Sequence, residues 1–466
     1  LIRRNIMSNQ TTKQYASIFE SDGFPKLSEA IPLALQHVVA MIVGCITPAI
    51  IVANVAGVSE ADRVIMIQVS LVVSALSTFL QLFGIGTKTF RIGAKLPMII
   101  GISFAYVPSM TAIAGTSGIS AILGAQIVGG VIAVIVGLFV KSIQKFFPPL
   151  VTGTVVFTIG LSLYSVAVNY MAGGVGKDNY GSIQNWAIAL ITLIIVIGLN
   201  NFGKGLVKLA SILIAMIIGY IIALCTGMIN FSSVASAGVF SLPQPLHFGI
   251  TFDPAACVAI GLLFAINSIQ AIGDFTATTS GAMDRLPTGD ELRSGIIGYG
   301  ITNIIGALLG GLPSATYSQN VGIVTTTKVI NRVVLGLAGV VILVAGLIPK
   351  FSALLTTIPL CVLGGATISV FASIAMTGVK LIFTEKMDFR NSSIVGLAVA
   401  LGVGLSQAQE SLAAFPPAFT TVFGKSPVVV ATIVAIILNV VLPKSKEKKK
   451  YINNVGGWRA PPPFFE

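Results

Sequence analysis

Charge is what this sequence lacks most: 9% of its 466 residues are Asp, Glu, Lys or Arg, against 55% that are apolar. A soluble chain of this length needs roughly a quarter of its residues charged to wet its surface. A soluble globular fold is therefore excluded, and the outer surface must face lipid. Cysteine is scarce as well, and Cys45, Cys225, Cys257 and Cys361 all fall in apolar stretches without CxxC or metal-ligand spacing. That leaves buried structural thiols and no metal centre. No Walker A loop, zinc-binding spacing or nucleophile elbow occurs, so no enzyme, cofactor or ATP-driven pump is expected. No cleavable signal peptide is expected either, because Met7 is followed by polar residues where a signal would place its apolar core.

The net charge of +12 would suit nucleic acid, but its distribution argues against that partner. Lys and Arg collect in alternate loops, and a last run, Lys444, Lys446 and Lys448 to Lys450, follows the final apolar segment. Cationic loops stay on the cytoplasmic side of a membrane. With both termini cytoplasmic, the external loops hold Arg63, Lys177, Lys350 and Lys425 only.

What the chain has in abundance is apolar runs long enough to cross a bilayer, about 20 residues each. The pattern predicts an all-α polytopic membrane protein of about fourteen spans, seven from 29–53 to 205–228 and seven from 253–280 to 425–443. The twelfth is expected at 352–379. A cytoplasmic segment 1–28 precedes the transporter domain 29–443, and a basic cytoplasmic tail 444–466 follows it.

Two segments resemble each other across the halves. Leu96-Pro97 opens the third span (97–115) and Leu312-Pro313 the tenth (313–327); Pro148-Pro149-Leu150 is echoed by Ile358-Pro359-Leu360. Seven spans per half would insert the halves in opposite orientations, an architecture of secondary transporters. The third and tenth spans are too short or interrupted for ordinary helices. Irregular backbone at membrane depth is tolerated where it lines a cavity, and such a matched pair points to a substrate site. Free N–H groups and a positive helix end would meet a polar ligand there.

Intramembrane polar residues are costly, so each needs an account. The densest cluster is Ser318-Gln319-Asn320-Val321-Gly322-Ile323-Val324-Thr325-Thr326-Thr327-Lys328. Its amides and hydroxyls would suit helix-to-helix hydrogen bonding. Equally, the Gln319 amide supplies a donor and an acceptor that match the amide edge of a nucleobase. Chemistry alone leaves both open. The pattern Gln-Asn-x-Gly-x-x-x-x-Thr-Lys, with Gln36-His37, Gly101-Ile102-Ser103-Phe104 and Ile272-Gly273-Asp274 in order, resembles the signature of the nucleobase–ascorbate transporter family. The resemblance covers roughly residues 25 to 443.

That resemblance implies two inverted repeats of seven spans, with short strands in spans three and ten meeting at the substrate. It implies a core domain (about 29–140 and 253–348) and a gate domain (about 148–228 and 352–443) that mediates homodimer contact. By the same resemblance, Phe104, Gln270, Ser318 and Gln319 would contact substrate, and Asn320 would brace the motif. Asp274, inside the eighth span, reads two ways: a structural carboxylate capped by Thr276 or Thr278, or the proton site of a coupled carrier. His37 is the other proton candidate, or a structural histidine; His247, expected in an external loop, has no assigned role.

Two departures stand out. Family members usually carry Glu one turn before the Asp of span eight, where this chain has Gln270, which cannot titrate. Some purine members carry an Asp near the start of span nine, where Gly295 to Gly300 has none. The resemblance implies a bacterial inner-membrane carrier of an oxopurine, xanthine or uric acid, with a proton as co-substrate. Uracil, hypoxanthine or guanine is the alternative cargo, and an anion carrier or channel of similar fold the alternative class.

Overall fold

The computed structural model describes residues 15–87, 91–140, 148–416, 419–424 and 426–443. The basic tail 444–466, the external Lys425 and residues 1–14 of the N-terminal segment lie outside the described residues. Helices dominate. The first half holds α1 (Leu27–Ala56), α2 (Glu60–Phe83), a hairpin β1–β2 (Ile85–Gly86, Arg91–Ile92), β3 (Ile100–Ile102), a 3-10 turn (Phe104–Tyr106) and α3 (Val107–Leu138). Then come α4 (Pro149–Met171), α5 (Ile183–Phe202), α6 (Gly205–Leu209), α7 (Ser211–Cys225) and α8 (Ser232–Ser236). The second half holds α9 (Pro254–Ala282), α10 (Gly289–Leu308), β4 (Ser314–Thr316), α11 (Ser318–Thr327), α12 (Arg332–Gly346) and α13 (Pro349–Thr356). It ends with α14 (Leu360–Ile382), α15 (Phe389–Gln407) and α16 (Pro427–Val441).

Among the described residues, eight helices are long and apolar enough to cross a membrane, or nine if the bent pair α12–α13 is one span. The protein is a polytopic membrane protein, as its composition requires. Gly118, with φ 78°, breaks α3 between the segments read as spans three and four. A conformation this far into the left-handed half of the map suits glycine alone.

One expectation fails. The segment 352–379 is not a single span: α13 turns 81° away from α12 and ends at Thr356, and α14 starts afresh at Leu360. Pro359 has no N–H to continue a helix and is itself extended, the N-cap of α14, so the break is built into the chain. By packing, α13 lies on α2, with the first-half helices, rather than on the helices that follow it.

The helices sort into two groups by packing. α1, α2, α3, α9, α10 and α12 pack on one another around β3, β4 and α11. α4, α5, α7, α14, α15 and α16 form the other group, built on the long contact of α4 with α14. Glycine sets that contact: a Cβ on Gly378 would stand 2.2 Å from the Phe157 backbone, and one on Gly160 would stand 2.5 Å from that of Ala375. The two backbones touch, which no larger residue permits.

β3 and β4 pair antiparallel at the centre of the first group, with Ile100 opposite Thr316, Gly101 opposite Ala315 and Ile102 opposite Ser314. Each strand is clamped from the helix before it. Thr78 Oγ1 on α2 accepts from Ile100 N–H and donates to Ile100 C=O, both at 3.1 Å. Asn303 on α10 accepts from Ser314 N–H at 2.8 Å and donates to Ser314 C=O at 3.3 Å. The same device in both halves satisfies backbone groups that lipid could not. Between the groups, Ser109 bonds Ser426 at 2.6 Å, and Asn54 donates to Tyr170 at 3.3 Å.

Candidate functional site

The β3–β4 pair ends where two polar turns meet. Ser103 N–H donates to Pro313 C=O at 3.1 Å, and Tyr317 N–H donates to Ile99 C=O at 3.0 Å. Each strand therefore hands its chain straight into a helix: Ser103 caps the 3-10 turn by accepting from Ala105 N–H, and Tyr317 is the N-cap of α11. The Tyr317 side chain caps nothing, and among the described residues the first N–H groups of α11 have no partner at the positive end of the helix.

These turns open into a cavity of about 310 Å³ between the two helix groups. That is the lower end of the range for small-molecule sites. Phe104, Gln270, Ser318 and Gln319, all singled out from sequence, line it. Val39 and Gly44 come from α1, and Val156 and Ile159 from α4. The Phe104 ring meets Phe371 of α14 edge to face, centroids 5.2 Å apart, at the junction of the two groups. The Gln319 side chain is exposed to the cavity, and neither its amide nor that of Gln270 is held in a hydrogen bond to another described side chain or backbone group.

The other three sequence candidates stand behind this wall, not in it. Asp274 is buried, with both carboxylate oxygens engaged: Thr316 Oγ1 donates to one, and Ser318 Oγ donates to the other at 2.8 Å. The expected caps were the wrong hydroxyls. Thr276 bonds back to Ile272 C=O at 2.8 Å and Thr278 reaches Met98 Sδ at 2.9 Å, so neither touches the carboxylate. His37 is buried, and its Nδ1 lies 3.0 Å from Asn320 Nδ2, which also donates to His37 C=O at 3.2 Å. An amide N–H donating to Nδ1 leaves the neutral imidazole proton on Nε2. The Asn320 Oδ1 has no partner among the described residues. His247 pairs with Asp62 at 2.8 Å, far along the chain from the signature and outside the cavity lining.

Sequence reasoning missed five polar cavity residues. Ser103, Thr316 and Tyr317 flank residues it named, and only the strand pairing shows that they face the same space. Ser373 and Thr377 of α14 line the opposite wall. Their signal was available, since two hydroxyls four apart at membrane depth share one helix face. Lys328, the last residue of the signature, has a structural place: its Nζ donates to Gly281 C=O at 2.5 Å, at the end of α9.

Comparison with known proteins bears on this geometry. The profile of the permease family Xan_ur_permease matches residues 28–411. The chain is 32% identical to the xanthine permease of Bacillus subtilis, over 92% of this chain and 96% of that one. It is 34% identical to the uric acid permease PucJ of the same organism, over 87% of this chain and 91% of that one. The transmembrane domain of the cyanobacterial bicarbonate transporter BicA shares the fold, with a TM-score of 0.56 at 17% identity, covering 88% of this chain and 97% of that one. The likeness to BicA is one of fold alone. A profile match from the first transmembrane helix to beyond α15, with full-length relatives in agreement, establishes that this chain belongs to the permease family Xan_ur_permease and is a membrane transporter, not an enzyme.

Proposed function

We propose that the chain imports an oxopurine nucleobase, xanthine or uric acid, across the bacterial inner membrane together with a proton. The observation that carries this reading is the pair of uncommitted amides, Gln270 and Gln319, facing one cavity between two helix groups. An oxopurine edge alternates C=O and N–H, and a carboxamide answers it with a donor and an acceptor. The free N–H groups at the start of α11 add donors for a ring oxygen. Phe104 supplies an aromatic wall for the planar ring. Full-length relatives are a xanthine permease and a uric acid permease, which supports the reading.

Proton coupling rests on Ser318, which both lines the cavity and donates to Asp274. A proton on Asp274 turns an acceptor into a donor, so the Ser318 hydroxyl must re-aim, and substrate contact and protonation become one event. Asn320 braces the start of α11 by tying it to His37. The group around β3 and β4 is the moving core, and the group built on α4 and α14 is the gate. The side-chain hydrogen bonds between them, Ser109–Ser426 and Asn54–Tyr170, are few, as an elevator movement needs. Fourteen crossings in two inverted repeats, cytoplasmic termini and a homodimer complete the reading.

Calorimetric titration with a panel of bases tests it. Xanthine or uric acid should bind the parent protein, and Gln319→Ala should abolish high-affinity binding while leaving folded protein in the membrane. One buried hydrogen bond is worth about 0.5–1.5 kcal/mol, and more when its partner is left unpaired. Binding that stays within twofold in Gln319→Ala removes Gln319 from the site. Binding of uracil in preference to purines would replace the cargo, and binding of inorganic anions alone would replace the class.

A further inference from the structure

The residue that must be placed most accurately in this cavity is Phe104, whose ring both walls the site and touches the opposing helix group. It sits on a three-residue turn, and three residues of 3-10 backbone do not fix a ring by themselves. Both ends of that turn are held by tyrosine hydroxyls that reach it from the second half of the chain. At the start, Tyr317 OH donates to the Ile102 carbonyl at 2.7 Å. At the end, the hydroxyls of Tyr106 and Tyr299 bond each other, with both residues fully buried. Tyr299 lies on α10, in the same stretch, Gly295 to Gly300, where the sequence offered no acidic residue.

The surroundings make these hydroxyls rigid anchors. Phe264 of α9 packs against both rings, 5.0 Å from Tyr106 and 5.5 Å from Tyr299, centroid to centroid. Phe264 is itself locked, since a Cβ on Gly129 would stand 2.2 Å from its ring. Tyr317 is wedged between α1 and β3, where a Cβ on Gly44 would be 3.0 Å and one on Gly101 would be 2.7 Å from the phenol. We infer that Tyr299, together with Tyr317, is a positioning residue that sets where Phe104 stands over the substrate. Tyr317 also lines the cavity and could touch substrate directly; Tyr299 does not line it, so any effect of Tyr299 on substrate affinity passes through Tyr106 and the Phe104 turn.

The inference rests on the proposed substrate reading, and one experiment separates the two. Xanthine uptake into proteoliposomes is measured for the parent, Tyr299→Phe, Phe104→Leu and the double variant. Removing one buried hydroxyl bond should raise KM about two- to tenfold, with the maximal rate within twofold of the parent. In the Phe104→Leu background the same change should have no further effect on KM, because the ring it positions is gone. The inference is overturned if Tyr299→Phe leaves KM unchanged, lowers only the maximal rate, or acts equally in both backgrounds. Should Tyr299→Phe fail to reach the membrane folded, the same cycle with Tyr106→Phe, which removes the other hydroxyl of the pair from outside the cavity lining, decides. A parent that takes up no base defeats the substrate reading; a parent that takes up xanthine with an inert Tyr299 defeats this inference alone.

Discussion

Replacing Asp274 by Asn separates what its carboxylate does for structure from what it does for coupling. The carboxylate accepts from Thr316 and Ser318, the residues on either side of the α11 N-cap. Asparagine has nearly the same shape and keeps an oxygen for one hydroxyl, and the other hydroxyl can turn to accept from the amide. What is lost is the charge in each bond. A hydrogen bond to a charged group contributes about 1.5–3 kcal/mol and a neutral one about 0.5–1.5 kcal/mol. The two bonds together therefore weaken by roughly 2 kcal/mol, inside the 5–15 kcal/mol margin of a folded domain. Asp274→Asn should fold, bind xanthine and exchange it across proteoliposomes, yet fail to concentrate it when a pH gradient is imposed. Asp274→Ala should lose binding as well, because it strands the buried Thr316 hydroxyl at about 1–3 kcal/mol and frees Ser318 from its place in the wall. The assay is labelled xanthine accumulation against counterflow exchange. An Asn variant that still accumulates base against a gradient refutes the coupling role and moves attention to His37.

Two further predictions follow from the cavity and its supports. Gln270→Glu puts a negative charge beside the ligand, where a second charge at 4 Å costs about 4 kcal/mol at an effective dielectric of 20. Xanthine and uric acid lose protons with rising pH, so binding to Gln270→Glu should weaken more steeply than binding to the parent between about pH 5.5 and 8.5; parallel titration curves would show that position 270 does not sense ligand charge. Gly101→Ala forces a methyl to 2.7 Å from the Tyr317 ring and 2.8 Å from Cys45 Sγ. Overpacking of this kind costs about 1–3 kcal/mol, so the detergent-solubilised variant should melt at a lower temperature than the parent, and an unchanged midpoint would mean that the ring yields freely.

How far the site was legible depends on whether a contact is local or between distant segments. Gln319 drew notice because its amide stands in a polar, Pro-interrupted segment at membrane depth that has a counterpart in the other half, whereas Phe104, Ser318 and Gln270 were named through the family resemblance. The division into spans followed from apolar run length, but run length alone joined residues 352–379, and the break at Pro359 had to be weighed against it. The partners of Asp274 were not legible. Thr276 and Thr278 are near in sequence but spend their hydroxyls on Ile272 C=O and Met98 Sδ, while Thr316 and Ser318 arrive from more than forty residues away. The same holds for Thr78 and Asn303, whose clamps on β3 and β4 depend on a strand register that joins Ile100 to Thr316. His37 and Asn320 were both named, yet only the packing of α1 on α11 brings them together behind the cavity wall.

Gradient-driven uptake tests the central claim most directly. Parent protein and Gln319→Ala are reconstituted, and labelled xanthine is followed with the interior alkaline and again after an ionophore collapses the gradient. The account predicts that the parent concentrates xanthine only while the gradient stands and that Gln319→Ala takes up none above empty vesicles. Accumulation that ignores the gradient, or uptake by Gln319→Ala equal to the parent's, would contradict it.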